Sequence, residues 1–104
     1  MRVFVTASIL ALALAGSALA DAAAGKALYA GKFCKNCHGA NGEGNPQMAK
    51  MLNVTMRRLG SKAVQAKSDA QLKKDCTEGI GKMKPVKLTD AEASDVVAFL
   101  RTLK

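Results

Sequence analysis

The sequence contains no tryptophan and only one tyrosine and three phenylalanines among its 104 residues. A single domain of this size buries a modest core, and small domains often recruit a disulfide, a metal or a cofactor to compensate. The shortage of aromatic side chains therefore leaves room for a bulky apolar prosthetic group, although composition alone does not require one.

Cysteine and histidine are also scarce, with three and one respectively. Cys34 and Cys37 form one close pair, but the remaining Cys76 and His38 lie far apart in the chain and do not supply the second Cys/His pair of a structural zinc site. Eight acidic residues stand against sixteen basic ones, which gives a formal net charge of +8. Such a charge favours encounter with acidic proteins or anionic membranes. It does not indicate nucleic-acid binding, because the chain has no continuous basic run, no aromatic stacking pattern and no DNA-reading motif.

Residues 1–20 have the pattern of a cleaved secretory signal. Arg2 supplies a positive start, residues 3–15 form an almost unbroken apolar stretch, and Ala18-Leu19-Ala20 matches a cleavage site. The apolar stretch is shorter than the roughly 20 residues that cross a bilayer, so an uncleaved membrane anchor is the weaker alternative. The sequence thus predicts a periplasmic or otherwise exported domain, residues 21–104, with no stable membrane span after cleavage.

The exported part predicts an all-α domain of three to four helices, because it shows helical spacing and no convincing strand alternation. A first helix is expected from about Asp21 to Phe33. A glycine-rich loop over residues 39–46 follows it. Residues 47–59 are a less regular helical segment, since Asn53-Val54-Thr55 interrupts the helix propensity.

Two later helices carry capping-box signatures. Residues 68–71 and 89–92 each place a hydroxyl three positions before Gln or Glu, so that the two side chains can satisfy free amides reciprocally. The first of these helices should end near Gly79, and the second should reach the C-terminus. Its expected apolar stripe consists of Ala93, Val96, Val97, Leu100 and Leu103, with Phe99 at the edge.

The segment Cys34-Lys35-Asn36-Cys37-His38 is the most specific pattern in the sequence. Two cysteines at this spacing can each form a thioether with a vinyl group of haem, and the adjacent histidine can donate an imidazole nitrogen to the iron. A thiol redox motif is one alternative, but it requires a βαβ context that this chain lacks. A disulfide at this spacing by chance is another. The pattern predicts one covalently bound haem c held through Cys34, Cys37 and His38.

An electron-carrying haem usually needs a second axial ligand. The candidates besides uncharged lysines are Met48, Met51, Met56, Met83 and Cys76. The first three methionines lie at helical spacing, which ordinary core packing explains. Met83 lies instead in residues 79–85, a loop with two glycines and a proline between the two capped helices. That position suits a ligand that folds over the haem, and a plain loop methionine is the alternative.

Taken in order, these features resemble the class I, mono-haem cytochrome c family over nearly all of residues 21–104. The shared features are an N-terminal helix with a glycine and an aromatic residue, the haem-binding pentapeptide, a Gly-x-Gly loop with proline, a helix, a methionine loop and an amphipathic C-terminal helix. The family commonly places proline directly after the methionine, whereas Lys84 stands between Met83 and Pro85 here.

The resemblance implies roles for individual residues. Met83 would be the distal iron ligand. The Pro46 carbonyl would accept a hydrogen bond from the free N–H of His38 and so fix the orientation of the ring. The residues at the contact between the first and last helices would be Gly25, Tyr29 and Phe99.

Together these expectations predict that the protein is a soluble, exported one-electron carrier rather than an enzyme. His38 and Met83 would fill both axial positions of the iron. Basic residues near the motifs would surround the exposed haem edge and orient an acidic redox partner. These are Lys32, Lys35, Lys82, Lys84 and Lys87. The alternatives are a haem enzyme or sensor with a labile sixth ligand, and an accessory subunit of a larger oxidoreductase.

Cys76 is left without a partner in this scheme. It lies four residues after Leu72, so both share one helix face, and a buried apolar role is the expectation. An iron ligand, a redox-sensitive thiol and an intermolecular disulfide are the alternatives.

Overall fold

Six helices account for most of residues 20–103, the part of the chain that this computed structural model describes. In chain order they are α1 (Ala22–Gly31), α2 (Cys34–His38), α3 (Pro46–Leu52), α4 (Lys62–Gln65), α5 (Asp69–Glu78) and α6 (Asp90–Leu100). The β pairing within these residues is a single bridge between Ile80 and Met83. The all-α prediction is therefore confirmed, with α2 and α4 as single turns beside the four longer helices.

The predicted signal segment, residues 1–20, lies outside the described residues except for Ala20. Among the helices of residues 20–103, none combines the length and the apolar character that crossing a bilayer requires.

The helix starts follow from side chains that cap free amides. The Asp21 carboxylate accepts hydrogen bonds from the first amides of α1, and this residue is a cap rather than the first helical residue. The predicted capping box of α6 is present, because Thr89 and Glu92 bond each other's backbone amides reciprocally. At α5 only half of the predicted box forms. Ser68 accepts from the Gln71 amide, but the Gln71 side chain donates to Asp75 instead of accepting from Ser68.

Three helix ends differ from the predicted ones, and a fourth agrees with its prediction. α1 stops at Gly31, because Phe33 adopts a left-handed conformation with φ of 66°. The helical segment expected over residues 47–59 ends at Leu52, since Asn53 is also left-handed with φ of 55°. The predicted stop of α5 is confirmed: Gly79 has φ of 83°, which glycine adopts at no steric cost. α6 ends at Leu100 and a turn follows, so this helix is shorter than predicted.

The crossing of α1 and α6 organises the core, as the family resemblance implied. Gly25 lies against the backbone of Asp95 so closely that a methyl group would overlap the Asp95 carbonyl oxygen. Further along the crossing, the rings of Tyr29 and Phe99 pack at a centroid distance of 5.1 Å and an angle of 57°. The buried cluster at this crossing consists of Tyr29, Val96, Phe99, Leu100 and Leu103. Phe99 thus lies within the core rather than at its edge.

A second cluster joins α4 and α5 to α6. Val64, Leu72 and Val97 form it, and Leu59 packs against it. The residues of the predicted stripe of α6 are all buried, because that helix contacts α1 on one side and α5 on the other. α6 is therefore the element against which both α1 and α5 pack.

We expect Gly25→Ala to lower the free energy of unfolding of the haem-loaded protein by about 3 kcal/mol, since the added methyl forces α1 away from α6. Guanidinium denaturation followed by circular dichroism measures this change. Gly31→Ala is the matched control in the same helix, because no atom lies within 4 Å of an added Cβ there. Equal stability losses in the two variants would contradict this account of the crossing.

Candidate haem site

A single cavity of about 690 Å³ collects the residues that the sequence singled out. Its volume falls within the range of about 300–1,000 Å³ that is typical of ligand pockets. Every one of the six helices contributes side chains to the lining, and most of these side chains are apolar. The predicted attachment residues Cys34, Cys37 and His38 all line it, and so does Met83.

The pentapeptide forms a single helical turn, α2, set at an angle that the preceding residue makes possible. The left-handed conformation of Phe33 ends one helix and starts the next, so the chain changes direction immediately before Cys34. Within α2, Cys34 and Cys37 are three residues apart and lie on the same side of the turn. Neither forms a disulfide, which excludes the chance-disulfide alternative in this structure.

Backbone hydrogen bonds from the following loop hold α2 in place. The Gly44 amide donates to the His38 carbonyl at 2.6 Å, and the Asn45 amide donates to the Cys37 carbonyl at 2.9 Å. The Tyr29 hydroxyl donates to the Gly39 carbonyl at 2.5 Å. Burial raises the pKa of Tyr29, so it remains a hydrogen-bond donor at all physiological pH values. This bond connects the helix crossing of the core directly to the end of α2.

The His38 ring is largely buried, and burial lowers its pKa, so the imidazole is neutral at pH 7. Its Nδ1 atom is buried and has no hydrogen-bond partner among the described residues. Buried polar atoms are nearly always satisfied, and a neutral imidazole is a common iron ligand. The side chain thus fits a site where the ring binds a metal within the cavity.

The predicted hydrogen bond between the His38 ring and the Pro46 carbonyl is not formed in this structure, where His38 Nδ1 has no partner among the described residues. Pro46 does not line the cavity and is the first residue of α3. Proline suits that position, because the first helical residue needs no amide hydrogen and the ring presets φ. The role of the Pro46 carbonyl beside a bound haem stays a prediction.

The structure divides the candidate second ligands into two groups. Met51 is 77% exposed and does not line the cavity, which removes it from consideration. The cavity-lining candidates are Met48, Met56, Met83 and Cys76.

The loop that carries Met83 is a tight, hydrogen-bonded turn rather than a loose strap. Ile80 and Met83 exchange both backbone hydrogen bonds, at 3.2 and 2.9 Å. Lys82 Nζ donates to the Leu52 carbonyl at 2.5 Å, which joins this turn to the end of α3. The Val86 amide donates to the Cys76 carbonyl at 2.8 Å and anchors the far end of the turn on α5. The backbone at Met83 is consequently fixed from three directions.

Cys76 packs beside the core cluster at the helix crossing, in line with the predicted apolar role. Burial, together with the nearby Cys34 and Asp75, raises the pKa of its thiol to about 11. Thiolates, not thiols, are the strong metal ligands and nucleophiles. At neutral pH this sulfur is therefore a weak candidate for binding iron.

Two features of the cavity were not predicted from the sequence. Phe33 lines the cavity yet is 69% exposed, so it lies at the mouth. Asp75 and Lys67 form an ion pair on the cavity wall, with 2.8 Å between Nζ and Oδ2. The spacing of Gln71 and Asp75, four residues apart on one helix, is the signal that the sequence offered for this cluster.

Comparison with known proteins agrees with the geometry of this cavity. A family model described as cytochrome c matches residues 22–104. Cytochrome c-554(547) of Halothiobacillus neapolitanus is 36% identical to the chain over 93 residues, which are 81% of this chain and 98% of that protein.

We expect Cys76 in the folded protein to react with iodoacetamide at pH 8 about a hundredfold more slowly than in the protein unfolded in guanidinium. The reason is that its pKa rises from 9.0 to about 11, which depletes the reactive thiolate. Mass spectrometry of the peptide that contains Cys76 gives both rates. The rate in the folded state should increase as pH rises toward 11. Equal rates in the two states would show that the thiol is neither buried nor perturbed.

Proposed function

Because the chain belongs to the cytochrome c family and carries covalently bound haem c, we propose that it is an exported one-electron carrier in which His38 and Met83 are the axial iron ligands. The observation that supports this proposal most strongly is the convergence of the pentapeptide and Met83 on one apolar cavity. The haem iron supplies the chemistry, a reversible change between the ferrous and ferric states.

The attachment residues are proposed from the lining of the cavity. Cys34 and Cys37 present their sulfur atoms on one side of a rigid turn, where each can form a thioether with a vinyl group. His38 presents a neutral, buried imidazole beside them. Covalent attachment suits a small core with few aromatic residues, because the cofactor itself supplies much of the buried apolar surface.

Met83 is proposed as the second ligand because hydrogen bonds hold the backbone of its turn in place. Its turn is bonded to α3 and α5, so the sulfur can be held near the iron with little loss of conformational freedom on binding. Met48 and Met56 line the same cavity from α3 and the segment after it, and they are the rival sulfur ligands. Ligation by histidine and methionine raises the reduction potential, which suits an electron carrier.

The polar groups of the cavity favour a carrier over an enzyme or a sensor. General acid–base catalysis at a haem needs a titratable group that is free to move a proton. Asp75 is the one acidic residue in the described lining, and its two oxygens are occupied by Lys67 and Gln71. His38, the one histidine of the chain, is assigned to the iron. The described lining thus offers no free carboxylate and no second histidine for proton transfer.

The mouth of the cavity supports docking of an acidic redox partner. Phe33 and Ile80 are exposed there, at 69% and 50%, and provide an apolar centre. The exposed basic residues that line the same cavity are Lys32, Arg57, Lys82 and Lys84. Lys35 and Lys87, also expected at this edge, are exposed but do not line the cavity. A basic rim around an apolar centre steers a partner of opposite charge.

Export follows from the predicted signal segment, residues 1–20, together with the general export of cytochromes c. In the proposed mature protein the chain begins at Asp21, which caps α1 through its carboxylate. The Asp21 backbone nitrogen lies 2.8 Å from Asp95 Oδ1, and as the N-terminal amine it would still be a hydrogen-bond donor to that carboxylate.

We expect Met83→Ala to remove the methionine-to-iron charge-transfer band from the absorption spectrum of the ferric protein. Met51→Ala is the matched control, because that side chain is exposed and lies outside the cavity. It should leave the band unchanged. A band that survives in Met83→Ala but disappears in Met48→Ala or Met56→Ala would transfer the ligand role to that residue.

We expect the double variant Lys32→Glu/Lys84→Glu to be oxidised by ferricyanide, an anionic reagent, on the order of tenfold more slowly at low ionic strength, because attraction at the cavity mouth is lost. Stopped-flow absorbance measures the rate. Lys26→Glu/Lys62→Glu is the control with the same net charge, since both residues are exposed and neither lines the cavity. Equal slowing in both double variants would show that net charge alone, not the mouth, guides the encounter.

A further inference from the structure

An ion pair between a buried carboxylate and a partly exposed ammonium lies on the cavity wall, apart from the residues proposed to hold the haem. Asp75 in α5 is only 9% exposed and is the one charged side chain in the buried part of the described residues. Lys67 Nζ lies 2.8 Å from its Oδ2, and Gln71 Nε2 donates to its Oδ1 at 2.7 Å. Lys67 and Asp75 both line the cavity. The structure thus places two opposite charges beside the site of the redox change.

Arg101, the residue directly after α6, holds the backbone of Lys67 through hydrogen bonds. Arg101 Nη2 donates to the Lys67 carbonyl at 2.7 Å and contacts Asp69 Oδ1 at 2.7 Å, while Nη1 donates to the Gln65 carbonyl at 2.9 Å. These bonds tie the segment between α4 and α5 to the end of α6. The ion pair is therefore preorganised, unlike a pair between two free surface side chains.

Stability alone does not account for charges at this position. Well-packed apolar side chains of similar volume are commonly as stabilising as a buried ion pair, or more so. The Asp75 carboxylate stays ionised near neutral pH. Burial acts to raise the pKa of Asp75, but the hydrogen bonds from Lys67 and Gln71 and the Lys67 charge outweigh it and hold the pKa below its usual range. A permanent dipole thus faces the cavity.

We propose that the juxtaposition of Lys67 and Asp75 on the cavity wall tunes the reduction potential of the haem, an inference that rests on the proposed carrier function. The Asp75 carboxylate opposes the arrival of one electron at the iron, and the Lys67 ammonium favours it. The electron comes from a redox partner or an electrode, and no bond or proton changes place. The two side chains therefore act with opposite signs, and the intact pair holds the potential between the values that either charge alone would give.

The test is the midpoint potential of haem-loaded Asp75→Asn and Lys67→Gln, measured by protein-film or mediated voltammetry at pH 8 and low ionic strength. Asp75→Asn should raise the equilibrium constant for reduction, and Lys67→Gln should lower it, each on the order of tenfold. Tenfold corresponds to about 59 mV for a one-electron couple. Both replacements keep the approximate size of the side chain and a hydrogen-bonding group.

Lys73→Gln is the matched control. It removes a positive charge from the same helix and breaks an ion pair with Asp90 at 2.7 Å, but neither residue lines the cavity. Its reduction equilibrium should change less than about twofold, since this charge is farther from the site and better screened. Absorption spectra of each variant establish that the axial ligands are unchanged.

Shifts of the same sign in Asp75→Asn and Lys67→Gln, or shifts no larger than that of Lys73→Gln, would overturn the proposal. A purely structural role predicts that outcome, because loss of either partner would loosen the wall in the same way. If Asp75→Asn does not load haem, Lys67→Gln decides alone, since the Lys67 side chain is 33% exposed and tolerates replacement. An unchanged or raised equilibrium constant for reduction in Lys67→Gln then rejects the proposal. An unaltered protein with no reversible one-electron couple would overturn the carrier function itself, and this proposal with it.

Discussion

The close crossing of α1 and α6 at Gly25 is the constraint on which the rest of the structure depends. The absence of a side chain there lets the two backbones approach, which brings Tyr29 against Phe99. From that position the Tyr29 hydroxyl reaches the Gly39 carbonyl and fixes the end of α2. The other side of α6 packs against α5, whose C-terminal end anchors the turn that carries Met83. The two halves of the haem site are thus positioned by one helix pair.

The cavity that results is apolar, and its few ionisable groups are held in fixed states. Burial keeps His38 neutral and Cys76 protonated, while hydrogen bonds from Lys67 and Gln71 and the charge of Lys67 hold the pKa of Asp75 below its usual range. In such surroundings a change of one charge at the iron meets few groups that can rearrange or titrate. This property suits rapid, reversible electron transfer, and it makes the remaining fixed charges matter more than they would in water.

The features that could be predicted from the sequence are those decided by local chemistry. The pentapeptide, the caps at Ser68 and Thr89 and the stop at Gly79 depend on residues close together in the chain, and all are present. Features decided by tertiary contacts were missed. The Gln71 side chain could bond either the Ser68 backbone or Asp75, and it donates to Asp75. A buried carboxylate costs more free energy when it is left without a hydrogen bond than an exposed backbone amide does. The left-handed conformation of Asn53 and Phe33 has no clear sequence signal, so the ends of α1 and α3 were placed too late. Pro46 begins α3, and the hydrogen bond to His38 that the resemblance implied is not formed among the described residues.

The central claim is that this chain encloses a haem whose two axial positions are both filled by its own side chains, so that electrons pass but ligands do not bind. Exposure of the ferrous protein to carbon monoxide tests it most directly. The account predicts no spectral change on mixing at neutral pH, because the proposed ligand Met83 would hold the remaining iron position from within its hydrogen-bonded turn. Rapid formation of a carbon monoxide complex would contradict the claim and would indicate an open site for substrate or gas binding.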